Sequence, residues 1–488
     1  MMGNFRRRVA ASVALLALVS GCGGGDGGSS PVAGGGTAAV PTPSPSPTPT
    51  GACSLRARQD WAAAQLREWY LFPETLPTSL NPGGFSDLSD YVDALTATAR
   101  AQNKDRYFTY VTSIKEENAY YQSGSSAGYG FRLALDASGR IFVTETFEQT
   151  PALAAGVDRG AEIVAIGETV AGLLSVSSLY QSGGVNALNN ALGPSQAGVS
   201  RVFRVRVPGG AERDVTIAQA DYEIAPVSSR YGVKIIEDNG RRVGYVNLRT
   251  FISTADQALR DGFARLRAAG ITELIVDLRY NGGGLVSTAE LLGDLLGGNR
   301  SSNEVFGYIS YRSEKSSENE QRLFSPQPQS VSPTKIAFIG TDQSASASEV
   351  VINAFVPYLH GNAALIGTNT YGKPVGQIAR DLTACDDRLR VVAFATQNAA
   401  RQGAYYNGLA PVMEATCQAG DDLYYPLGDP REASTRQALD FLAGRSCTRI
   451  GGASASASAA RTRDVPARRE LLVPARPTTA QRETPGAY

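Results

Sequence analysis

Between residues 241 and 450 the sequence alternates short apolar runs with amphipathic ones, and this alternation limits what the chain can fold into more than any other feature. RRVGYVNLRTF reads as a strand, DQALRDGFARLRAAG as an amphipathic helix ended by Gly270, and ITELIVDLRY as a buried strand. LVSTAELLGDLLGG is the next helix, PTKIAFIG another buried strand, and ASEVVINAFVPYL the helix after it; NAALIGT and LRVVAFAT complete the pattern. Continuous apolar strands separated by helices belong to a substantially parallel sheet covered on its faces, so the fold class expected is α/β. In such sheets functional residues gather at the C-terminal ends of the strands.

Three strand ends carry unusual residues. The first is Asp277-Leu278-Arg279-Tyr280-Asn281-Gly282-Gly283-Gly284. Consecutive glycines after a buried strand permit backbone conformations closed to other residues and expose N–H groups to an approaching atom, which is what half of an oxyanion hole needs. The second is Ser344-Ala345-Ser346-Ala347-Ser348-Glu349, small hydroxyl-bearing residues directly before a helix. A nucleophile there has its developing oxyanion near free N–H groups and the positive end of the helix dipole. Taken alone the same pattern reads as a helix N-cap with Glu349 as its capping-box partner. The third is Tyr371-Gly372-Lys373-Pro374-Val375-Gly376-Gln377. A lysine becomes a general base when burial disfavours its charged form; in an exposed turn it is only a surface charge.

Composition narrows the chemistry. The 488 residues hold a single histidine, His360, and six lysines, so a histidine-rich metal site is excluded and any Ser-His-Asp mechanism runs through His360 alone. His360 sits at the expected end of a helix, where a cation is favourable without any catalytic role. Lys+Arg and Asp+Glu both number 46, a balance that gives no electrostatic reason to expect nucleic-acid binding.

Upstream, residues 124–225 are a succession of short β-rich runs (GYGFRLALD, GRIFVTETF, EIVAIGETV, RVFRVRVPG) with the short helix TPALAAGVDRG between them. Residues 53–123 place Trp61, Leu66, Trp69, Tyr70, Leu88, Tyr91, Val92 and Leu95 at helical spacing and read as a small helical domain. Residues 1–21 have three arginines before a short apolar run, the pattern of a signal peptide. Residues 22–52 are rich in Gly, Ser and Pro and read as a flexible tether; residues 451–488 read as a disordered tail. Cys53, Cys385, Cys417 and Cys447 form an even set compatible with two disulfides in any of three pairings, of which Cys385 with Cys417 and Cys53 with Cys447 is preferred.

In their order, these segments resemble the tail-specific, or C-terminal processing, serine peptidases over about residues 53–450. The resemblance implies a crotonase-like peptidase core over 226–450, with a PDZ-like domain inserted at 124–225. It assigns Ser346 as nucleophile, Lys373 as general base and Gln377 as its support. The oxyanion donors become the N–H groups of Ala347 and of Gly284, with Gly283 in reserve. Gly128-Tyr129-Gly130-Phe131 corresponds to the family's carboxylate-binding loop, where a peptide C-terminus adds to a sheet edge. Three features depart from the family's pattern: Gly160-Ala161 stands for the usual Gly-Asp, Pro374 replaces a frequent glycine, and the stretch from Ser346 to Lys373 is slightly long. Val19-Ser20-Gly21-Cys22 resembles a bacterial lipobox, implying lipid attachment at Cys22 and an outer-membrane anchor facing the periplasm. The function expected is a Ser–Lys endopeptidase that needs no metal or cofactor and acts on polypeptides with free C-termini. The alternative is a periplasmic peptide-binding lipoprotein that keeps the fold without turnover.

Overall fold

The computed structural model describes residues 51–451 and 469–488. The leader read over 1–21, Cys22 and the tether as far as residue 50 lie outside the described residues. At the centre is a six-stranded sheet in the order Val233–Asp238, Arg241–Asn247, Glu273–Asp277, Lys335–Gly340, Ala363–Gly367, Ala415–Gln418. Its first pair is antiparallel and every other pair parallel. Successive side chains point to opposite faces. Leu274, Val276, Ile336 and Phe338 therefore meet the helices Ala255–Ala268, Val286–Leu296 and Ala347–Leu359. Ile275, Ala337 and Ile339 meet the helix Ala433–Leu442 on the other side. Burial on both faces is why these strands show no polar alternation.

LRVVAFAT is not part of this sheet. It belongs to the strand Asp387–Gln397, the centre of a five-stranded antiparallel sheet with Tyr110–Ser113, Val305–Tyr311, Glu320–Leu323 and Val375–Leu382. The last place in the parallel sheet goes instead to Ala415–Gln418. An apolar run of this length cannot distinguish the two sheets by periodicity. The antiparallel sheet also absorbs the expected N-terminal domain. The helices Leu55–Trp69 and Leu88–Leu95 carry most of the apolar residues at helical spacing, and Ala97–Ala101 and Ile114–Ser123 are two further helices. Yet Tyr110–Ser113 is a strand, and Leu66, Tyr91, Val92 and Leu95 share one core with Val375, Leu389 and Val391.

Residues 125–223 form a β-rich unit whose main sheet runs Phe131–Asp136, Ile141–Thr146, Glu162–Gly167, Ser200–Arg206, Glu212–Ala218, with the long helix Val176–Leu192 packed on it. One further strand completes its outer edge. This is Arg469–Leu471, antiparallel to Phe131–Asp136. The reading of 451–488 as a disordered tail is thus corrected for 469–488, which forms this strand and the helix Thr479–Glu483 and buries Leu472, Ala480, Ala487 and Tyr488. Its apolar residues are too sparse to show a period, and all their burial is supplied by distant parts of the chain.

The disulfides also differ from the preferred pairing: they are Cys53–Cys385 and Cys417–Cys447. The helix Leu55–Trp69 lies against the strand Asp387–Gln397, with Arg58 paired to Asp387, and this brings Cys53 to the turn Thr383–Cys385. Cys447 follows the helix Ala433–Leu442, which packs back over the strand holding Cys417.

Candidate active site

Three consecutive parallel strands, ending at Asp277, Gly340 and Gly367, deliver their C-terminal loops to one place. The loops are laced together. Ala345 N–H and Ser348 Oγ both donate to the Asn281 carbonyl, at 3.1 and 3.0 Å, and Ser344 Oγ donates to the Leu278 carbonyl at 2.8 Å. Tyr371 N–H donates to the Ser344 carbonyl at 3.0 Å. Behind the first loop, Arg279 is fully buried between Asp277 and Glu432, which fixes the strand end from which the glycines emerge.

Ser346 caps the helix Ala347–Leu359 with φ 55° and ψ −117°, a conformation costly for a residue with a side chain. Ala347 opens the helix, so its N–H has no intrahelical acceptor. Glu349, one turn further, is buried and acts as a rivet. Its Oε2 accepts from the N–H groups of Ser346 at 3.1 Å and Lys373 at 2.7 Å, and its Oε1 from Gly372 N–H at 2.7 Å and the Thr370 hydroxyl at 2.6 Å. One carboxylate oxygen thus holds the main chain of both Ser346 and Lys373. Burial pushes the Glu349 carboxyl above its ordinary range, against the four donors that favour its charged form. Sequence reasoning saw Glu349 only as a capping partner; its bridge to residues 370–373 depends on tertiary placement.

Lys373 Nζ donates to Gln377 Oε1 at 2.9 Å, and Gln377 Nε2 donates in turn to the Phe108 carbonyl. The Phe108 ring lies 5.1 Å from the ammonium nitrogen. Burial lowers the Lys373 pKa below the ordinary lysine value; the Glu483 carboxylate opposes the shift, and Arg482 favours it. Lys373, Gly282, Ala345 and Tyr371 line a cavity of about 490 Å³ whose other wall is built from residues 473–485.

The three glycines have different tasks. A Cβ on Gly283, whose φ is +123°, would lie 2.8 Å from Ser346 Cβ and 3.3 Å from Ala347 N, so the neighbour of Ser346 must be glycine. Its own N–H is held by Asn281 Oδ1 at 2.9 Å. Gly284, the first choice from sequence, backs onto Phe251, where a Cβ would lie 2.2 Å from the carbonyl oxygen. Gly282, which the sequence reading passed over, directs its N–H to the Glu483 carbonyl at 3.0 Å across the cleft.

The loop Gly128–Phe131 closes on Tyr488. Gly130 and Phe131 N–H groups donate to the Tyr488 carbonyl oxygen at 2.7 and 3.3 Å, and Tyr488 N–H donates to the Phe131 carbonyl at 3.0 Å. A Cβ on Gly128 would lie 2.5 Å from the Tyr488 carbonyl carbon. The Tyr129 and Phe131 rings face inward and stack 5.4 Å apart in the core. His360 lies on the surface, paired with Glu414 at 2.9 Å, away from all of this. Among the described residues no cluster of three His, Cys, Asp or Glu could hold a metal ion, and no helix is long and apolar enough to cross a membrane.

A strained serine at a helix start, a half-buried lysine and a glycine loop at the ends of parallel strands define the class, a serine-type peptidase domain of α/β build. Residues 242–413 match the model of peptidase family S41. It is 31% identical over 238 residues to carboxyl-terminal-processing peptidase 1 of Arabidopsis thaliana chloroplasts, covering 47% of this chain and 42% of that one. It is 29% identical over 280 residues to the chloroplast C-terminal processing peptidase of Tetradesmus obliquus, covering 54% of each. The chain thus spans about half the length of these curated relatives. In fold, it is similar to a protein from Bacteroides fragilis described as an S41 protease, with a TM-score of 0.61 at 21% identity, over 79% of this chain and 97% of the other.

Proposed function

We propose that the protein is a serine endopeptidase working through a Ser346–Lys373 dyad on polypeptides whose C-termini are read by the β-rich, PDZ-like unit. Ser346 Oγ attacks the scissile carbonyl and its proton passes to neutral Lys373 Nζ. The N–H of Ala347 and one glycine N–H of the Gly282–Gly284 loop hold the tetrahedral oxyanion. Collapse of the intermediate breaks the C–N bond as Lys373 protonates the leaving amine, and water then hydrolyses the acyl-enzyme by the same base. The observation that carries this reading is the Glu349 rivet, which holds Ser346 and Lys373 against one carboxylate while burial favours the neutral amine. The leader and Cys22 support an exported, lipid-anchored enzyme facing the periplasm. A fluorophosphonate probe tests the chemistry. Labelling of the wild type that disappears in Ser346→Ala supports the dyad. Equal labelling of both proteins, or of neither, rejects it.

A further inference from the structure

The path of residues 469–488 is unusual. Arg469–Leu471 pairs with the edge strand Phe131–Asp136, and Leu472 N–H donates to the Leu133 carbonyl. The chain then leaves the edge, crosses the catalytic cleft and returns to the same residue, where Leu133 N–H donates to the Gly486 carbonyl at 2.9 Å. Residues 473–485, between these two anchor points, wall off the cavity that Lys373 and Gly282 line. The Glu483 carbonyl takes the Gly282 N–H at 3.0 Å, a donor from the loop that would otherwise face a substrate. The Pro485 carbonyl takes the Arg132 guanidinium, which also holds the Tyr280 carbonyl at the base of that loop at 3.1 Å.

At the end of this path Tyr488 is buried against Tyr129, Phe131, Leu188 and Leu192. Its hydroxyl donates to Asn189 Oδ1 at 2.6 Å. The backbone at Gly128–Phe131 would accept any residue; the apolar pocket closed by Asn189 asks for an aromatic ring with a hydroxyl at its tip. Ala487, just before, is buried and pairs with Arg132, which leaves little room for a larger side chain.

We propose that residues 469–488 are an internal ligand that shuts the catalytic cleft, and that polypeptides ending in a small residue followed by tyrosine open it by displacing Tyr488 from the Asn189 pocket. This rests on the peptidase reading above and names the tail chemistry it selects. The segment occupies both halves of the machinery at once, the groove through Gly486–Tyr488 and the cleft through 473–485, so an incoming tail that takes the first loosens the second. Removal of Glu483 from beside Lys373 also withdraws a carboxylate that favours the ammonium form.

The test uses the full chain and two readouts, one of them independent of catalysis. The first is the rate of fluorophosphonate labelling at Ser346. The second, in Ser346→Ala protein, is tryptic cleavage after Arg482, which the helix Thr479–Glu483 protects while it is docked. The added ligand is a synthetic peptide ending Thr-Pro-Gly-Ala-Tyr with a free carboxylate. It should raise both rates by about tenfold, and Tyr488→Asp should do so with no peptide present. The amidated peptide should need roughly tenfold more to act, because its acceptor oxygen no longer carries charge, as should one ending in Ala-Phe, which loses the hydrogen bond to Asn189 and leaves that side chain unpaired. In Asn189→Leu the preference for Ala-Tyr over Ala-Phe should vanish or reverse. Cleavage after Arg482 that responds to peptide in a protein never labelled at Ser346 keeps the internal ligand and sinks the peptidase. Labelling at a rate indifferent to the peptide and to Tyr488→Asp keeps the peptidase and overturns the internal ligand. Equal response to Ala-Tyr and Ala-Phe tails, unaltered in Asn189→Leu, overturns the assigned selectivity.

Discussion

The two halves of the cleft are built on opposite plans. The catalytic half stands on neighbouring parallel strands, and its reactive loops are joined by short hydrogen bonds to carbonyls and to the buried Glu349 carboxylate. The groove half stands on an edge strand whose partner comes from more than three hundred residues further along the chain. A central sheet has no free edge at the site and fixes its loops rigidly. An edge strand presents unpaired N–H and C=O groups to whichever segment reaches it. Precision and exchangeability are thus assigned to different layers of the molecule.

The largest effect should come from the rigid half. Lys373→Arg keeps the charge and cannot deprotonate at accessible pH, so kcat should fall by at least ~100-fold, the scale of general-base contributions. Activity within a few-fold of wild type in a peptide hydrolysis assay would remove the lysine from the mechanism. Next is the rivet. Glu349→Ala leaves buried donors from Ser346, Thr370, Gly372 and Lys373 without an acceptor. Chemical denaturation should show a loss of about 3–5 kcal/mol, and the mutant should be the one variant here that weakens folding and activity together.

A smaller effect is expected from pH. Burial lowers the Lys373 pKa, so at intermediate pH the unfolded chain binds a proton that the folded chain does not. Stability linked to this group is therefore fully present above the unfolded value of ~10.4 and declines as pH falls towards the lowered folded value, below which it changes no further. Lys373→Met should flatten that part of the curve in melting experiments across mildly to strongly alkaline pH; identical curves would mean the lysine is solvated. In the other direction, burial would raise Glu145, but the Arg249 and Arg132 guanidinium groups hold it down to about 2, so its contribution should persist until strong acid. The smallest effect belongs to His360→Ala. The side chain is exposed and its partner Glu414 half-exposed, so melting temperature and turnover should stay nearly unchanged, within about 0.5 kcal/mol.

The same contrast explains what could be read from the sequence. The parallel strands Glu273–Asp277, Lys335–Gly340 and Ala363–Gly367 announce themselves because burial on both faces demands unbroken apolar runs, and the small and glycine residues at their ends are local requirements of the turns. The loops that carry Ser346, Lys373 and Gln377 stand out for that reason, and the roles proposed for these residues rest on the family resemblance. Gly282, Glu349 and Asn189 are not, because what matters about each is a partner brought from elsewhere: the Glu483 carbonyl, the Lys373 N–H and the Tyr488 hydroxyl. The disulfide pairing failed on the same ground. Cys53 meets Cys385 through helix packing on an antiparallel strand that sequence had put in the other sheet. The 469–488 segment is the extreme case, since its strand has only three residues and its ordering depends wholly on the edge that receives it.

Because the segment at the groove belongs to the same chain as the edge strand it occupies, a visiting tail competes against a local concentration rather than against an affinity alone. A ligand joined to its own site acts at an effective concentration of about millimolar order. A free polypeptide end of equal intrinsic strength would have to approach that level to win half of the grooves. On the proposal above, the groove would behave as a threshold detector, nearly silent to the scattered ends of folded proteins. It would respond to ends that bind better than Ala-Tyr or that are crowded beside it.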